Sequence, residues 1–115
     1  MPQAAAFLPL TPRTFHVLLA LVERPRNGYQ IMGAVEEHSR GRAPIGPGTL
    51  YESLHRLAGR GLIEEVTGAE GADPDGRGQR FFQLTPLGLR VVREEAERLA
   101  DDVRLARALK VLGAG

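Results

Sequence analysis

The apolar residues of this 115-residue chain change their spacing in an order that few folds accommodate. Three stretches of helical spacing within residues 11–60 precede two β-prone runs, at 62–67 and 80–85, and one long helical stretch follows. A chain of this length has room for one modest core. The sequence therefore predicts a single α+β domain that is mainly helical and carries one small β-hairpin.

Helix boundaries are marked by residues suited to caps. Thr11-Pro12 and Thr85-Pro86 each combine an N-cap hydroxyl with a proline at the first helical position. Proline and glycine signals predict helices over about 11–24, 29–39, 47–60 and 86–111, with Gly61 as a left-handed cap after the third. The first three are expected to bury apolar side chains, namely Phe15, Leu18, Leu19, Val22, Ile31, Met32, Val35, Leu50, Leu54 and Leu57.

The last helix repeats its apolar residues at steps of four and three, a period of 3.5 that is typical of helices packed along a seam. Its members are Val92, Ala96, Leu99, Val103 and Ala106. A three-helix domain of this size is marginal alone and cannot bury the whole seam. We therefore expect the last helix to form a homodimer interface.

Charge and composition exclude several classes of function. The net charge is only +1, but residues 40–60 hold four arginines and one glutamate. The chain has no cysteine, its three histidines fall on separate predicted helices, and it has no phosphate-cradling or Ser-His-Asp pattern, so we expect no metal, no cofactor and no catalysis. Its apolar runs are too short for a bilayer and its first residues lack a basic signal region, so we expect a cytoplasmic protein.

The segment 47–63 carries the most specific pattern in the chain. Its sequence, Pro-Gly-Thr-Leu-Tyr-Glu-Ser-Leu-His-Arg-Leu followed after three residues by Gly-Leu-Ile, resembles the recognition-helix signature of the PadR family. Gly46 stands where that family usually has a small polar residue. Gly28-Tyr29-Gln30-Ile31 and Phe82-Gln83-Leu84-Thr85 are similar to the family's second-helix start and end of wing, and the set covers roughly residues 14–90.

The resemblance implies a winged helix-turn-helix fold with a C-terminal dimerisation helix, in the shorter branch of the family. The expected parts are an arm at 1–10, either flexible or packed across a partner, a DNA-binding domain at 11–85 and a dimerisation helix at 86–112. The implied function is sequence-specific binding of double-stranded DNA at a pseudo-palindromic operator by a homodimer, more often for repression than for activation. The identity of any small-molecule effector is left open.

The candidate DNA contacts lie on the second helix, the recognition helix and the wing. Gly48 and Thr49 would offer N–H groups and a hydroxyl to a phosphate at the helix start. Ser53, His55 and Arg56 are expected to face outward or sideways, with Ser53 and Arg56 reaching base edges. The other candidates are Tyr29, Gln30, Tyr51, Arg77 and Arg80.

Several of these assignments have alternatives. Tyr51 is either half-buried core or a phosphate contact. The wing arginines either reach the duplex or belong to a solvated loop, because carboxylates surround them at Glu64, Glu65, Glu70, Asp73 and Asp75. The near-neutral charge and the acidic wing favour a rival function, a winged-helix protein-interaction module that binds no DNA. A MarR-like regulator is a second rival.

Overall fold

The computed structural model describes residues 3–66 and 80–113, and these ranges contain a 3-10 helix, four α-helices and three strands. In chain order they are the 3-10 helix Ala4–Phe7, α1 Pro12–Leu19, β1 Arg26–Asn27, α2 Gly28–Ser39, α3 Pro47–Gly59, β2 Ile63–Val66, β3 Phe81–Leu84 and α4 Pro86–Ala108. The predicted α+β class is confirmed. The whole of the predicted hairpin tip, residues 68–79, lies outside the described residues.

The predicted caps form as expected. Thr11 and Thr85 each accept a hydrogen bond from the N–H three residues further on. A reciprocal capping box starts α2, where Asn27 Oδ1 accepts the Gln30 N–H at 2.8 Å and Gln30 Oε1 accepts the Asn27 N–H at 3.0 Å. Gly61 has a φ of +79° after α3, which is the left-handed conformation that the sequence predicted there.

Helix α1 is shorter than predicted. It ends at Leu19 rather than near Pro25, and the N–H groups of Leu21 and Val22 bond only three residues back, as in a tightening turn. The side chain of Val22 is exposed, so the expectation that it joins the buried face is wrong. Val17 is fully buried, although its position in the sequence did not place it among the expected core residues.

The sheet is antiparallel with strand order β1-β3-β2. The predicted hairpin pairs β2 with β3, with Ile63 opposite Leu84. The two-residue strand β1 adds Arg26 opposite Phe82, a pairing that the sequence did not indicate because two residues show no alternation. The link from α1 to α2 is thereby attached to the base of the wing.

The core joins all four α-helices and the sheet. Its largest buried apolar side chains are Leu18, Ile31, Leu50, Leu54, Leu62, Ile63, Val17, Val35 and Val91. The described part of the N-terminal arm packs against α4 of its own chain, with Ala4 buried. Among the described residues, no helix is both long enough and apolar enough to cross a membrane.

Candidate nucleic-acid interface

Helix α3 has two chemically different sides. Leu50, Leu54 and Leu57 are buried and hold the helix to the core, as predicted. The other side exposes Gly48, Thr49, Glu52, His55 and Arg56. Gly46 caps the helix without a side chain and Pro47 lacks an N–H, so the amides of the first turn have no partner within the helix. An anion is favoured at this end of the helix by those amides and by the helix dipole.

Ser53 does not face outward, and that expectation is wrong. Only 4% of Ser53 is exposed, since its position completes the i, i+3, i+4, i+7 stripe that starts at Leu50. Its hydroxyl oxygen accepts a long hydrogen bond, 3.5 Å, from Arg56 Nη2. The spacing of residues 50, 53, 54 and 57 was available in the sequence, but the polar side chain suggested the opposite face.

Tyr29 of α2 and Tyr51 of α3 differ in exposure, at 83% and 42%. Tyr29 is 83% exposed and is free to meet a ligand from solvent. Tyr51 packs its ring end against Gly28, so closely that a Cβ at that glycine would lie 2.5 Å from the tyrosine hydroxyl oxygen. The Gln30 side-chain oxygen accepts the Asn27 N–H in the capping box, and its amide nitrogen is the group that can donate to an outside partner.

At the base of the wing the predicted contact Arg80 already has partners. Its guanidinium donates to both carboxylate oxygens of Glu65, at 2.7 to 3.2 Å, and lies 5.4 Å from the centre of the Phe82 ring. These hydrogen bonds hold the pKa of Glu65 below its usual value. Glu65 therefore stays ionised, and the positive charge of Arg80 balances its negative charge, which reduces its repulsion of a phosphate. Arg77 lies outside the described residues.

A cavity of about 720 Å³ adjoins α3 on the side of the N-terminal arm and the start of α1. Four arginines line it, namely Arg13, Arg42, Arg56 and Arg60. The charge count along the sequence included the last three. It missed Arg13, because only the fold brings the first turn of α1 beside α3.

The apolar seam of α4 is divided between two environments. Val92 is buried in the core of its own chain, because the first turns of α4 pack against α1 and the 3-10 helix, so its assignment to a partner-facing seam is wrong. Beyond it Ala96 is exposed, and Leu99 and Val103 are 37% and 38% exposed. Ala106 is half-buried. The surface left for a partner therefore begins at Ala96.

Glu95 is buried, at 1% exposure, which is rare for a carboxylate without a partner. Arg98 donates to both of its oxygens, at 2.5 and 3.2 Å, and the Leu10 N–H donates to Oε2 at 2.9 Å. The hydrogen bonds from Arg98 lower the pKa of Glu95, and the bond from Leu10 adds to the effect against the opposing effect of burial. Glu95 thus ties the N-terminal arm to α4.

The family model described as the transcriptional regulator PadR-like family matches residues 17–94, from α1 to the first turns of α4. The chain belongs to the PadR-like family. That family is one of transcriptional regulators, and the winged-helix fold that the resemblance implied is confirmed. No group of three potential metal-ligating side chains lies together within residues 3–66 and 80–113.

Two individual proteins are similar to this chain in sequence, and one of them is described as a transcriptional regulator. The transcriptional regulator Rv3488 of Mycobacterium tuberculosis is 36% identical over 69 residues, which are 60% of this chain and 61% of that protein. An uncharacterized 37.1 kDa protein in transposon TN4556 of Streptomyces fradiae is 39% identical over 84 residues, 73% of this chain and 22% of that protein. The chain thus spans less than two thirds of the length of both relatives.

The same fold occurs in solved structures of the family. A PadR family transcription regulator from Clostridium difficile R20291 matches with a TM-score of 0.68 at 19% identity, over 86% of this chain and 98% of that chain. At this identity the match shows a common fold. The α3 side described above is thus part of a scaffold that this PadR-like regulator shares with a distant relative.

Proposed function

We propose that this PadR-like protein is a repressor that binds a pseudo-palindromic operator as a homodimer. The observation that carries the proposal is the division of α3, which buries its leucines and leaves Thr49, His55 and Arg56 at the surface. An α-helix fits the major groove, where a guanidinium such as that of Arg56 pairs with two acceptors of guanine. Gly48 and Thr49 would hold a phosphate at the helix start.

The remaining contacts position the helix on the duplex. The hydroxyl of the exposed Tyr29 would donate a hydrogen bond to a phosphate. The amide nitrogen of Gln30, in the capping box, would also donate to a phosphate. Arg80 acts through Glu65, fixing the base of the wing rather than reaching for a base. Ser53 is buried and is left out of the proposed contacts.

The dimer is proposed to form along α4, through Ala96, Leu99, Val103 and Ala106. In this scheme residues 11–85 form the DNA-binding domain and residues 86–112 form the dimerisation helix. The arm at 1–10 packs against that helix and is held there by the hydrogen bond from the Leu10 N–H to Glu95. A two-fold axis along α4 would set the two α3 helices about one DNA turn apart, roughly 34 Å. Repression follows when the operator overlaps a promoter, since the bound dimer would exclude the polymerase.

The test is selection of bound duplexes from a random pool, followed by salt titration on the selected sequence. Arg56→Ala is expected to weaken binding by about 1–3 kcal/mol and to relax the preference at one base pair, whereas Thr49→Ala weakens all duplexes alike. Arg90→Ala, at an exposed position of α4 about 180° around the helix from Leu99, is the matched control and is expected to leave affinity unchanged. Failure to bind any duplex at low salt would support the protein-interaction alternative, because phosphate contacts strengthen as salt falls.

A further inference from the structure

Tyr51 of α3 lies where three elements of the domain meet. Its hydroxyl end lies against Gly28, the first residue of α2, where an added Cβ would be 2.5 Å from the hydroxyl oxygen and 2.9 Å from Cζ. The same side chain lines a cavity of about 140 Å³ together with the wing residues Glu65, Arg80 and Phe82. Tyr51 therefore contacts α2 and faces the base of the wing, although it is not part of the hydrophobic core.

On the α2 side, the contact sets how closely the start of that helix approaches α3. Because Gly28 has no side chain, the phenol occupies the space that any other residue would fill with its Cβ. Tyr29 and Gln30, which are proposed to hold phosphates, follow directly in the first turn of the helix. The position of their donor groups relative to α3 therefore depends on the Tyr51 ring.

On the wing side, Tyr51 adjoins the ion pair that fixes the base of the wing. Arg80 donates to both carboxylate oxygens of Glu65, and its guanidinium lies 5.4 Å from the centre of the Phe82 ring. The hydrogen bonds to Glu65 are the main cause of the raised pKa of Arg80, and Tyr51 is near enough to add to it. Displacement of the tyrosine ring would therefore disturb this ion pair and the placement of β2 and β3 against α3.

We propose that Tyr51 is a positioning residue of the DNA interface. Its ring sets the spacing of α2 and of the wing from α3, and its hydroxyl group does not hold a phosphate. An aromatic ring suits this role because it has only two rotatable bonds and a fixed length. The neighbour of its hydroxyl end is Gly28 of the same chain. The effect on DNA binding rests on the proposed function, whereas the spacing is measured without DNA.

The test without DNA uses the full chain labelled with ¹⁵N and follows the Arg80 Nε–H and the Glu65 amide. Tyr51→Phe keeps the ring and is expected to leave both signals near their wild-type positions, whereas Tyr51→Ala should shift both. Gly28→Ala should also shift them, because its Cβ displaces the phenol, but it should add little once Tyr51→Ala has removed the ring. Gly33→Ala is the control on the same helix, because its added Cβ meets no atom within 4 Å.

In the second arm, affinity for the selected operator is measured by fluorescence anisotropy on variants that urea denaturation shows to be folded. Tyr51→Phe is expected to bind within about twofold of wild type. Tyr51→Ala and Gly28→Ala should each bind about tenfold more weakly, because the phosphate contacts of α2 and the wing lose their alignment with α3.

Three results would contradict these expectations. A loss with Tyr51→Phe as large as with Tyr51→Ala would make the hydroxyl a phosphate ligand and overturn the positioning role. Unchanged Arg80 and Glu65 signals in both Tyr51→Ala and Gly28→Ala would overturn the spacing itself. A wild-type chain that binds no duplex would refute the proposed function, while the same two signals would still decide whether Tyr51 spaces α2 and the wing.

Discussion

At the scale of single residues, Gly88 marks the tightest approach between two elements. It lies in the first turn of α4, against the backbone of Leu62, and a Cβ at this position would overlap the Leu62 carbonyl oxygen. Because the obstacle is backbone, no side-chain rotation relieves it. The same segment is held by Thr85, whose hydroxyl donates to the Gly61 carbonyl and accepts the Gly88 N–H.

Gly88→Ala is therefore expected to lower the free energy of unfolding by about 3 kcal/mol, the cost of overpacking that forces a backbone shift. Gly33→Ala is the control, since Gly33 is exposed in the middle of α2 and no atom lies within 4 Å of its added Cβ. That variant should gain about 0.5–1 kcal/mol from helix propensity. Urea denaturation measures both, and equal stabilities would contradict the contact with Leu62.

Glu95 predicts a pH-dependent contribution to stability. Glu95→Gln should lower the free energy of unfolding by about 1–2 kcal/mol at pH 7, since hydrogen bonds to a charged group are lost and Arg98 is partly solvated. The folded-state pKa of Glu95 lies below the usual 4.5. The stabilisation is therefore complete above pH 4.5 and is lost as the pH falls through the folded-state pKa.

The measurement is urea denaturation of wild type and Glu95→Gln from pH 7 down to pH 3, with Glu97→Gln as the exposed control on the same helix. The difference between wild type and Glu95→Gln should shrink below about pH 4.5. Glu97→Gln should stay within about 0.5 kcal/mol of wild type throughout. A constant difference for Glu95→Gln would mean that the carboxylate charge does not stabilise the fold.

At the scale of elements, α4 has two halves with different roles. Its first half contributes Val91, Val92 and Glu95 to the core and holds the arm. Its second half has no buried residue in the described chain and keeps Leu99 and Val103 partly open to solvent. A seam of period 3.5 in which only the first member, Val92, is buried is typical of a helix that packs against a partner helix.

Leu99→Glu is expected to shift the protein from dimer to monomer in sedimentation velocity, because a carboxylate in the seam is desolvated or repelled by its symmetry mate. Leu105→Glu is the matched control. Leu105 is 58% exposed and lies two residues from Val103, about 200° around the helix and thus off the seam. A monomeric Leu105→Glu chain, or a dimeric Leu99→Glu chain, would place the interface elsewhere on α4.

At the scale of the whole molecule, the proposed DNA binding depends on how the charged residues are distributed rather than on the net charge. The chain carries a net charge of only +1, yet four arginines converge beside α3 while Glu65 and Glu95 are held by arginine partners. Near-neutral total charge gives little long-range attraction to DNA. Two copies presenting these surfaces together would bind a two-part site far better than either alone.

The geometry of that assembly predicts a spacing requirement. Inserting about five base pairs between the half-sites of the selected operator turns one half-site by roughly half a turn, so one α3 would face away from its groove. Affinity is expected to fall toward that of a single half-site. Inserting about ten base pairs returns both half-sites to the same side of the duplex, so this duplex is the control for distance alone. Equal affinity for all three duplexes in a filter or anisotropy titration would argue against a rigid dimer.

The sequence by itself determined the elements and their order, because caps, helical spacing and β-prone runs are local properties. The Thr-Pro starts, the α3 leucines and the Gly61 cap were all predictable in this way, and the family motif identified the regulator. The strand β1 was not predictable, because it depends on pairing with Phe82, which is distant in the chain.

Only the tertiary structure decided which polar residues are buried and which charges converge. Ser53 and Glu95 are buried because packing covers any side chain that completes a helical stripe, whatever its polarity, provided that it finds hydrogen-bond partners. Arg13 and Arg56 line one cavity because the fold brings the first turn of α1 to the wall that α3 forms. Such convergence is a property of three-dimensional distance, and the order of residues along the chain does not encode it locally.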